Sequence, residues 1–385
     1  MFRKKRLYFI LCLSIFTFVF LVIGKSLAVD APGNILFEKK GKLWMIQPDH
    51  AGEKVISEKG ASSNALFSST GEKVFYPLNN KIYMIDMNSM EEKLVYEGEK
   101  EDKVDLYSWI SDLNSFIFRK LRKDGCYEYF RMTPENNKIE SLKTLYENPF
   151  LSRAGKYWAW TTCKPGESKD KSKIYAARVG NKKKQFVFQG IRKNIIGWDS
   201  KNPTVLYSMF DVIYAFDIVK RRRQKIKLPF KNIFVVAYNK NGLLYYNLDQ
   251  SEKDQGIFLF DPQSGEQKQI IENKKNAYLV TYNKDLSKIV FFCPKKFGDD
   301  MGNGELYLFE GSTGEAKKLT NDMGKRVIFK KNMNLQWSPD GKYFVYEKVK
   351  IKFSQIKRSD IWIAGEGKNE RLRKHAGNPV WGVIK

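Results

Sequence analysis

The sequence predicts an eight-bladed β-propeller, an all-β fold in which four-stranded antiparallel sheets surround a central axis. A mostly aromatic position recurs eight times at intervals of 40 to 55 residues, and a turn and short apolar strands follow most copies. Four short strands in a period of roughly 40–45 residues are typical of propeller blades, which bury the faces of their sheets against their neighbours. The eight positions are Phe67, Trp109, Leu151, Trp198, Tyr238, Tyr282, Trp337 and Trp381.

The repeat nearest the C-terminus shows the pattern most clearly. Pro339 sets φ at the first corner of a turn, Asp340 can accept a hydrogen bond from the turn backbone, and Gly341 tolerates positive φ. The flanking residues are aromatic and β-branched, which favours strands and predicts a hairpin. A third strand around Trp362 and a basic fourth strand at 371–373 complete the unit.

The earlier repeats follow the same order, and each closes with a Lys- or Arg-rich fourth strand. The predicted second strands contain Val74-Phe75-Tyr76, Phe116-Ile117-Phe118, Tyr157-Trp158-Ala159-Trp160, Val205-Leu206-Tyr207, Leu243-Leu244-Tyr245 and Ile289-Val290-Phe291-Phe292. The predicted third strands are centred on Tyr83, Tyr129, Tyr175, Tyr214, Phe258 and Tyr307.

The two ends of the repeat region complement each other. The segment from Ile35 to Ile56 supplies a second, a third and a fourth strand, whereas Pro379 to Ile384 supply a lone first strand. Together they form one composite blade, here called blade one, which closes the ring non-covalently. Seven continuous blades plus this one give eight. Seven blades in all is the alternative, because the units around Tyr129 and Trp198 have poor turn chemistry.

The sequence from Trp337 to Lys342, W-S-P-D-G-K, followed by Asp360-Ile361-Trp362-Ile363, resembles the repeats of TolB-type propellers. Lys318-Leu319-Thr320 matches the L-T of that family's fourth strand. As a period, the resemblance covers nearly the whole chain after residue 28, and it implies the fold rather than a task. TolB carries an α/β domain before its propeller, whereas blade strands follow directly on the first 28 residues here.

The first 28 residues predict export. A basic head, Arg3 to Arg6, precedes 18 uncharged residues from Leu7 to Gly24, a length between a long signal-peptide core and a short membrane span. Small residues at Ser26 and Ala28 predict cleavage after Ala28, with a retained anchor in the cytoplasmic membrane as the alternative. In both cases residues 29–385 form a single exported propeller domain, periplasmic or extracellular.

The formal net charge of the chain is +25, and loss of residues 1–28, which hold five basic residues and no acidic one, leaves +20. This excess predicts attraction to an anionic partner, such as lipid head groups, an acidic polysaccharide or an acidic protein surface. Alternatively, lysines on fourth strands protect exposed sheet edges from pairing with another chain. Export excludes nucleic acid as a partner, and the sequence does not set the oligomeric state.

Few residues suit catalysis or metal binding. Cys126, Cys163 and Cys293 lack C-x-x-C spacing, so they predict buried thiols, with a Cys126–Cys163 bridge between blades as the alternative. The two histidines, His50 and His375, lie in predicted turns and are too few for a metal-dependent propeller lyase.

The sequence also has no G-x-S-x-G elbow and no α/β segment to hold a hydrolase domain. It therefore predicts no enzyme, no cofactor and no metal. The acidic, Gly-rich run 298–305 could offer oxygen ligands to Ca²⁺, although it lacks EF-hand spacing.

A binding face is predicted where long loops join second to third strands, in blades four (164–172), seven (294–304) and eight (348–359). Long loops on a rigid scaffold usually carry binding residues. Alternation over 349–353 alternatively predicts additional strand with its lysines on one side. The candidate binding residues are Lys295, Lys296, Asp299, Asp300, Lys348, Lys350, Lys352, Lys357 and Arg358.

These observations together predict a non-enzymatic, TolB-like propeller that binds or scaffolds a protein or an anionic component of the cell envelope. Residues 7–24 would supply any membrane association. One alternative is an envelope enzyme that acts on a saccharide through carboxylates in the channel. Another is a sensor domain displayed by an uncleaved anchor.

Overall fold

The computed structural model describes most of the chain after residue 30. The described ranges are 31–59, 64–123, 125–145, 149–152, 156–162, 173–181, 183–189, 193–198, 203–209, 212–226, 233–239, 242–247, 256–261, 264–270, 278–283, 285–294, 304–319, 336–352, 355–366 and 368–382. They form 32 strands and one 3₁₀ turn. The predicted signal or anchor segment, residues 1–28, lies outside these ranges and stays a prediction.

The first half of the ring contains β1 (Asn34–Lys39), β2 (Lys42–Ile46) and β3 (Lys54–Ser57) in blade one. Blade two is formed by β4 (Leu66–Phe67), β5 (Lys73–Leu78), β6 (Lys81–Asp86) and β7 (Glu92–Glu97). Blade three is formed by β8 (Lys103–Ile110), the 3₁₀ turn Ser111–Leu113, β9 (Ser115–Leu121), β10 (Tyr127–Thr133) and β11 (Lys138–Leu145). Blade four is formed by β12 (Phe150–Leu151), β13 (Tyr157–Thr162), β14 (Lys173–Arg178) and β15 (Gln185–Gln189).

The second half begins with blade five, which is formed by β16 (Lys193–Trp198), β17 (Thr204–Met209), β18 (Val212–Asp217) and β19 (Arg222–Ile226). Blade six is formed by β20 (Ile233–Asn239), β21 (Gly242–Asn247), β22 (Gly256–Phe260) and β23 (Gln267–Gln269). Blade seven is formed by β24 (Tyr278–Tyr282), β25 (Lys288–Pro294), β26 (Gly304–Glu310) and β27 (Glu315–Lys318). Blade eight is formed by β28 (Gln336–Trp337), β29 (Tyr343–Lys352), β30 (Gln355–Gly365) and β31 (Lys368–Lys374), and β32 (Gly377–Gly382) returns to blade one.

The strands form eight four-stranded antiparallel sheets, which confirms eight blades rather than seven. The composite blade is also confirmed, because β32 pairs with β1 in blade one, with Trp381 opposite Ile35. The indole of Trp381 donates to the carbonyl of Pro32 at 3.0 Å. Gly33 has a φ of 101°, and a Cβ there would lie 2.0 Å from the carbonyl oxygen of Gly382. The closing strand therefore requires glycine at this position.

The structure contains the hairpin turn that the sequence predicts for blade eight. The Ser338 hydroxyl accepts from the Tyr343 backbone N–H at 2.9 Å, and Gly341 has a φ of 71°. The same side-chain acceptor recurs in weaker copies of the repeat, because Ser68 accepts from the Lys73 N–H at 3.1 Å and Ser152 from the Tyr157 N–H at 3.0 Å. These bonds explain why small polar residues precede the turns.

Every blade contains one aromatic pair directly opposed across its second and third strands. Ring centroids lie 5.0 to 6.3 Å apart, in the range of favourable aromatic contacts. In blade three the third-strand member is Phe130, one residue after the predicted centre Tyr129. The pairs are Phe37–Trp44, Tyr76–Tyr83, Phe118–Phe130, Trp160–Tyr175, Tyr207–Tyr214, Tyr245–Phe258, Phe291–Tyr307 and Tyr346–Trp362.

A β-bulge between the third and fourth strands recurs in blades one, two, three, four and eight. A bulge places two consecutive residues of one strand against one residue of its partner and re-aims their side chains. The residue that follows the bulge contacts the next blade in each case. These residues are Ser57, Tyr96, Lys143, Phe188 and Arg373.

The core lies between the blades, where aromatic and aliphatic side chains from neighbouring sheets are buried together. Cys126 and Cys293 are buried within it, as predicted. Cys163 lies outside the described residues, so the alternative of a Cys126–Cys163 bridge is untested. Among the residues that the structure describes, no helix is both long enough and apolar enough to cross a membrane.

Candidate functional site

The predicted long loop of blade eight is mostly strand. β29 has 10 residues and β30 has 11, whereas the second strands of the other seven blades have six or seven. The fourth strand, β31, pairs with β30 only from Gly365 to Asp360. Beyond this point 349–352 and 355–359 continue as a two-stranded extension, here called the ribbon. The prediction of a loop over 348–359 is wrong, and the alternative of additional strand is confirmed.

The ribbon carries four of the predicted binding residues. Lys350 and Lys352 alternate along β29, and Lys350 lies directly opposite Arg358 in the register. Lys357 lies at the irregularity between the pairs Lys350–Arg358 and Ile351–Ile356. Lys295, Lys296, Asp299 and Asp300 lie outside the described residues, so their grouping with the ribbon stays a prediction.

Lys348, a further predicted binding residue, is only 8% exposed. Its Nζ atom lies 4.5 Å from the centroid of the Trp362 ring, within the range of a cation–π contact. It also lies opposite Asp360 in the register. Lys348 therefore belongs to the packing of blade eight and is not part of an open cationic surface.

Two buried carboxylates at the base of the ribbon hold the chain where it enters the closing strand. Glu347 accepts from the Asn378 backbone N–H at 3.1 Å, and Asp360 accepts from the His375 backbone N–H at 3.0 Å. His375 and Asn378 both have a φ of 53°, which is uncommon for residues other than glycine. These hydrogen bonds satisfy the backbone of an unusual link, which assigns both acids a structural role.

The structure also shows a cleft between blades three and four that the sequence did not predict. Its volume is about 540 Å³, within the range of small-molecule sites. It opens beside the third-to-fourth turn of blade four, at the strand ends opposite the ribbon. The cleft is lined by Glu140, Ser141, Leu142, Lys143, Trp158, Gly180 and Asn181.

Lys143 enters this cleft because it follows the bulge in β11. Its Nζ atom lies 4.5 Å from the centroid of the Trp160 ring, and that ring stacks on Tyr175 at 6.0 Å. Lys184 lies over the Tyr175 ring at 4.1 Å. Burial, followed by the positive charge of Lys184, lowers the pKa of Lys143 below its ordinary value.

The carboxylate nearest to Lys143 in sequence is already engaged elsewhere. Glu140 forms ion pairs with Lys138 at 3.2 Å and with Arg131. The hydrogen bond from Lys138, with a further contribution from Arg131, holds the pKa of Glu140 below its ordinary value. No ion pair joins Lys143 to any carboxylate of the described residues. The cleft thus contains a cation without an acidic partner in the described part of the chain.

No group of three or more His, Cys, Asp or Glu residues in the described part of the chain lies close enough to hold a metal ion. Of the acidic run 298–305, only Gly304 and Glu305 are described. Glu305 accepts from the Tyr307 hydroxyl at 2.6 Å and pairs with Lys318 at 2.5 Å. Its carboxylate therefore already has partners within blade seven.

No family model and no curated protein matches the chain. Among solved structures, it matches dihydro-heme d1 dehydrogenase NirN with a TM-score of 0.53 at 11% identity, covering 91% of this chain and 75% of NirN. It matches dipeptidyl peptidase 4 from Porphyromonas gingivalis with a TM-score of 0.52 at 10% identity, covering 84% and 53%. TolB from Acinetobacter baumannii matches with a TM-score of 0.41 at 12% identity, covering 91% and 82%.

The chain is thus an eight-bladed propeller that is similar in fold to the propellers of NirN and of dipeptidyl peptidase 4. It spans 57% of the length of a puromycin hydrolase that it matches and 53% of dipeptidyl peptidase 4. The prediction that the chain is not an enzyme is wrong, because structures that share its propeller include a peptidase and a dehydrogenase. At 10 to 11% identity these matches show the fold alone.

Proposed function

We propose that the chain is an exported, TolB-like propeller that binds a protein or an anionic component of the cell envelope through the ribbon of blade eight. The observation that carries this proposal is the continuation of β29 and β30 beyond their four-stranded sheet. From Val349 to Ser359 the sequence holds four basic residues and no acidic one. A basic ribbon of this kind complements a negatively charged surface.

The physical chemistry of the ribbon favours a bound partner. Among the described residues the ribbon has no further neighbouring strand. Two strands alone are only marginally stable in water, and they leave backbone groups unpaired along both edges. Like charges at directly opposed positions, as for Lys350 and Arg358, destabilise the pair further. A negatively charged partner would offset this repulsion and could satisfy the free edges.

Export rests on the basic head and the uncharged stretch from Leu7 to Gly24. The apparent mass of the mature protein distinguishes a cleaved signal from a retained anchor. Loss of about 28 residues indicates a free envelope protein. A full-length chain in the membrane fraction indicates a displayed domain.

Binding through the ribbon is tested with the triple variant Lys350→Gln/Lys352→Gln/Arg358→Gln. Lys348 is left unchanged because it packs on Trp362. The matched control removes three exposed charges from blade five, in the variant Lys220→Gln/Arg222→Gln/Lys225→Gln. Both variants and the wild-type chain are mixed with anionic vesicles and, separately, with solubilised envelope proteins.

A basic residue near an anionic lipid surface contributes about 1 kcal/mol, so the ribbon variant should bind vesicles on the order of 100-fold more weakly at low salt. If the partner is an acidic protein, the same variant should lose that protein from the envelope fraction. The control should behave like the wild-type chain. Equal recovery with all three proteins in both assays would refute binding through the ribbon.

A further inference from the structure

The cleft between blades three and four differs from the equivalent places between other blades. Where blades two and three meet, Tyr96 follows the bulge and packs on Phe118 at 4.6 Å. Where blades four and five meet, Phe188 packs on Tyr207 at 5.5 Å. Lys143 occupies the corresponding place between blades three and four, so an ammonium group stands where its neighbours have an aromatic ring.

The described residues offer the charge of Lys143 no acidic partner. Its ammonium group lies over the Trp160 ring, and the charge that affects it is the like charge of Lys184. Glu140, the carboxylate that lines the cleft, is paired with Arg131 and Lys138. A half-buried cation in such a place interacts more strongly with an incoming anion than an exposed lysine does, because water screens it less.

A second and independent feature is a buried N–H donor on a residue that lines the cleft. Trp158 lines the cleft and is 1% exposed, and its indole N–H has no hydrogen-bond acceptor among the described residues. Buried indole N–H groups usually have a partner. The Ser141 hydroxyl and the Asn181 carboxamide add further polar groups to the lining.

We propose that this cleft binds a small polyhydroxylated molecule that carries one oxyanion, namely a sugar acid or a sugar phosphate. Lys143 and Lys184 hold the anionic group, and Ser141, Asn181 and Trp158 bind the hydroxyl groups of the sugar. Ammonium groups act as point charges and do not require the planar, two-pronged geometry that arginine selects, so they accommodate carboxylate and phosphate alike.

The proposal is independent of the ribbon. The cleft lies beside a third-to-fourth turn, whereas the ribbon extends from a second-to-third connection, and these connections are at opposite ends of the strands. A small ligand in the cleft therefore leaves the ribbon accessible. Loss of ribbon binding would leave this proposal standing, and loss of ligand binding in the cleft would leave ribbon binding standing.

The test is calorimetric titration of the full-length protein with glucuronate, with glucose 1-phosphate and with glucose. We expect the wild-type chain to bind at least one of the two charged sugars at least about tenfold more tightly than glucose, a difference of ~1.4 kcal/mol. Binding of glucuronate alone identifies a carboxylate ligand, and binding of glucose 1-phosphate alone identifies a phosphate ligand. Equal affinity for glucose, or no heat with either charged sugar up to about 10 mM, overturns the proposal.

The variant Lys143→Met removes the charge and keeps an unbranched side chain. It should weaken binding of the charged sugar by at least about tenfold, ~1.4 kcal/mol, while Lys225→Met, an exposed lysine on blade five, should bind like the wild-type chain. Lys184→Met and Lys143→Arg address the case in which Lys143→Met does not fold. We expect weakened binding in Lys184→Met and retained binding in Lys143→Arg. Unchanged affinity in both methionine variants contradicts the assignment.

Discussion

Two contacts between neighbouring blades are formed by a residue that follows a bulge in the fourth strand, but the two residues have different partners. Between blades eight and one, Arg373 follows a bulge in the fourth strand, and its Nε atom lies 2.8 Å from the carboxylate of Glu53. Between blades three and four, Lys143 follows the equivalent bulge and faces the Trp160 ring. The arginine has an acidic partner on the next blade, whereas the lysine has none among the described residues.

This difference indicates which of the two contacts stabilises the fold. Blades eight and one must hold together without a covalent connection between their sheets, apart from the short link into β32. Lys39 also pairs with Glu53 at 3.0 Å, so two basic residues share one carboxylate at this closure. The cleft between blades three and four closes nothing, because the chain itself connects those blades. Lys143 is therefore not needed for ring closure, which agrees with its proposed role in binding a ligand.

The largest expected effect concerns ring closure itself. Trp381→Ala removes a buried indole from the core between blades eight and one, together with its hydrogen bond to Pro32. Large-to-small changes of this kind cost about 3–5 kcal/mol of unfolding free energy. Denaturant unfolding followed by circular dichroism measures the loss. Leu94→Ala, at an exposed position of blade two, is the control and should change stability by less than about 0.5 kcal/mol. Equal losses in both variants would argue against the closed ring.

A smaller loss is expected from Arg373→Met. The substitution breaks the ion pair with Glu53 while Lys39 remains paired with it, so we expect a loss of about 1 kcal/mol that shrinks at high salt. A double-mutant cycle with Glu53→Gln isolates the coupling between the two residues. A coupling free energy near zero at low salt would contradict the role assigned to this pair.

Lys143→Met should not destabilise the fold appreciably in the absence of ligand. It removes a half-buried charge that has no acidic partner among the described residues, and it leaves an unbranched apolar side chain beside Trp160. The free energy of unfolding should therefore stay within about 0.5 kcal/mol of the wild-type value or rise above it. A loss of unfolding free energy as large as that of Arg373→Met would show that Lys143 stabilises the fold. The proposed difference between the two contacts would then be wrong.

The smallest expected effect is a pH dependence of the difference in unfolding free energy between Lys143→Met and the wild-type chain. The pKa of Lys143 is lowered in the folded state, mainly by burial and also by Lys184, so the unfolded state binds its proton more tightly. At pH values below the pKa that Lys143 has in the folded state, its charge destabilises the fold to the full extent. This destabilisation disappears as pH rises through the ordinary lysine pKa of about 10.4. Any advantage of Lys143→Met over the wild-type chain should therefore shrink as pH rises. Unfolding curves in buffers between about pH 7 and 10.5 measure it, and an advantage that grows with pH would contradict the assigned shift.

The sequence predicted the ring because a mostly aromatic position, followed by short apolar strands, recurs at the blade period. It located the third strand of blade three one residue early, at Tyr129, since both Tyr129 and Phe130 are aromatic and only the register distinguishes them. The ribbon was foreseen in the alternation of lysine with apolar residues after Lys348. The burial of Lys348 was not, because it depends on the position of Trp362 across the strand pair.

The cleft could not be predicted for a related reason. The side of the sheet to which Lys143 points is set by a bulge at Leu142, and nothing in the local sequence distinguishes this bulge from regular strand. Trp158 and Trp160 were recognised as strand residues, but their contact with blade three depends on how two sheets pack. Sites formed between blades are therefore less visible in the sequence than sites formed within one hairpin.

The most direct test of the contrast between the two contacts is the rise in unfolding temperature that a charged sugar causes in three proteins. A ligand that binds only the folded state stabilises it by RT ln(1 + [L]/Kd). We predict that glucuronate or glucose 1-phosphate raises the unfolding temperature of the wild-type chain and of Arg373→Met equally and leaves Lys143→Met unchanged. An equal rise in all three proteins, or a rise lost only in Arg373→Met, would contradict the account.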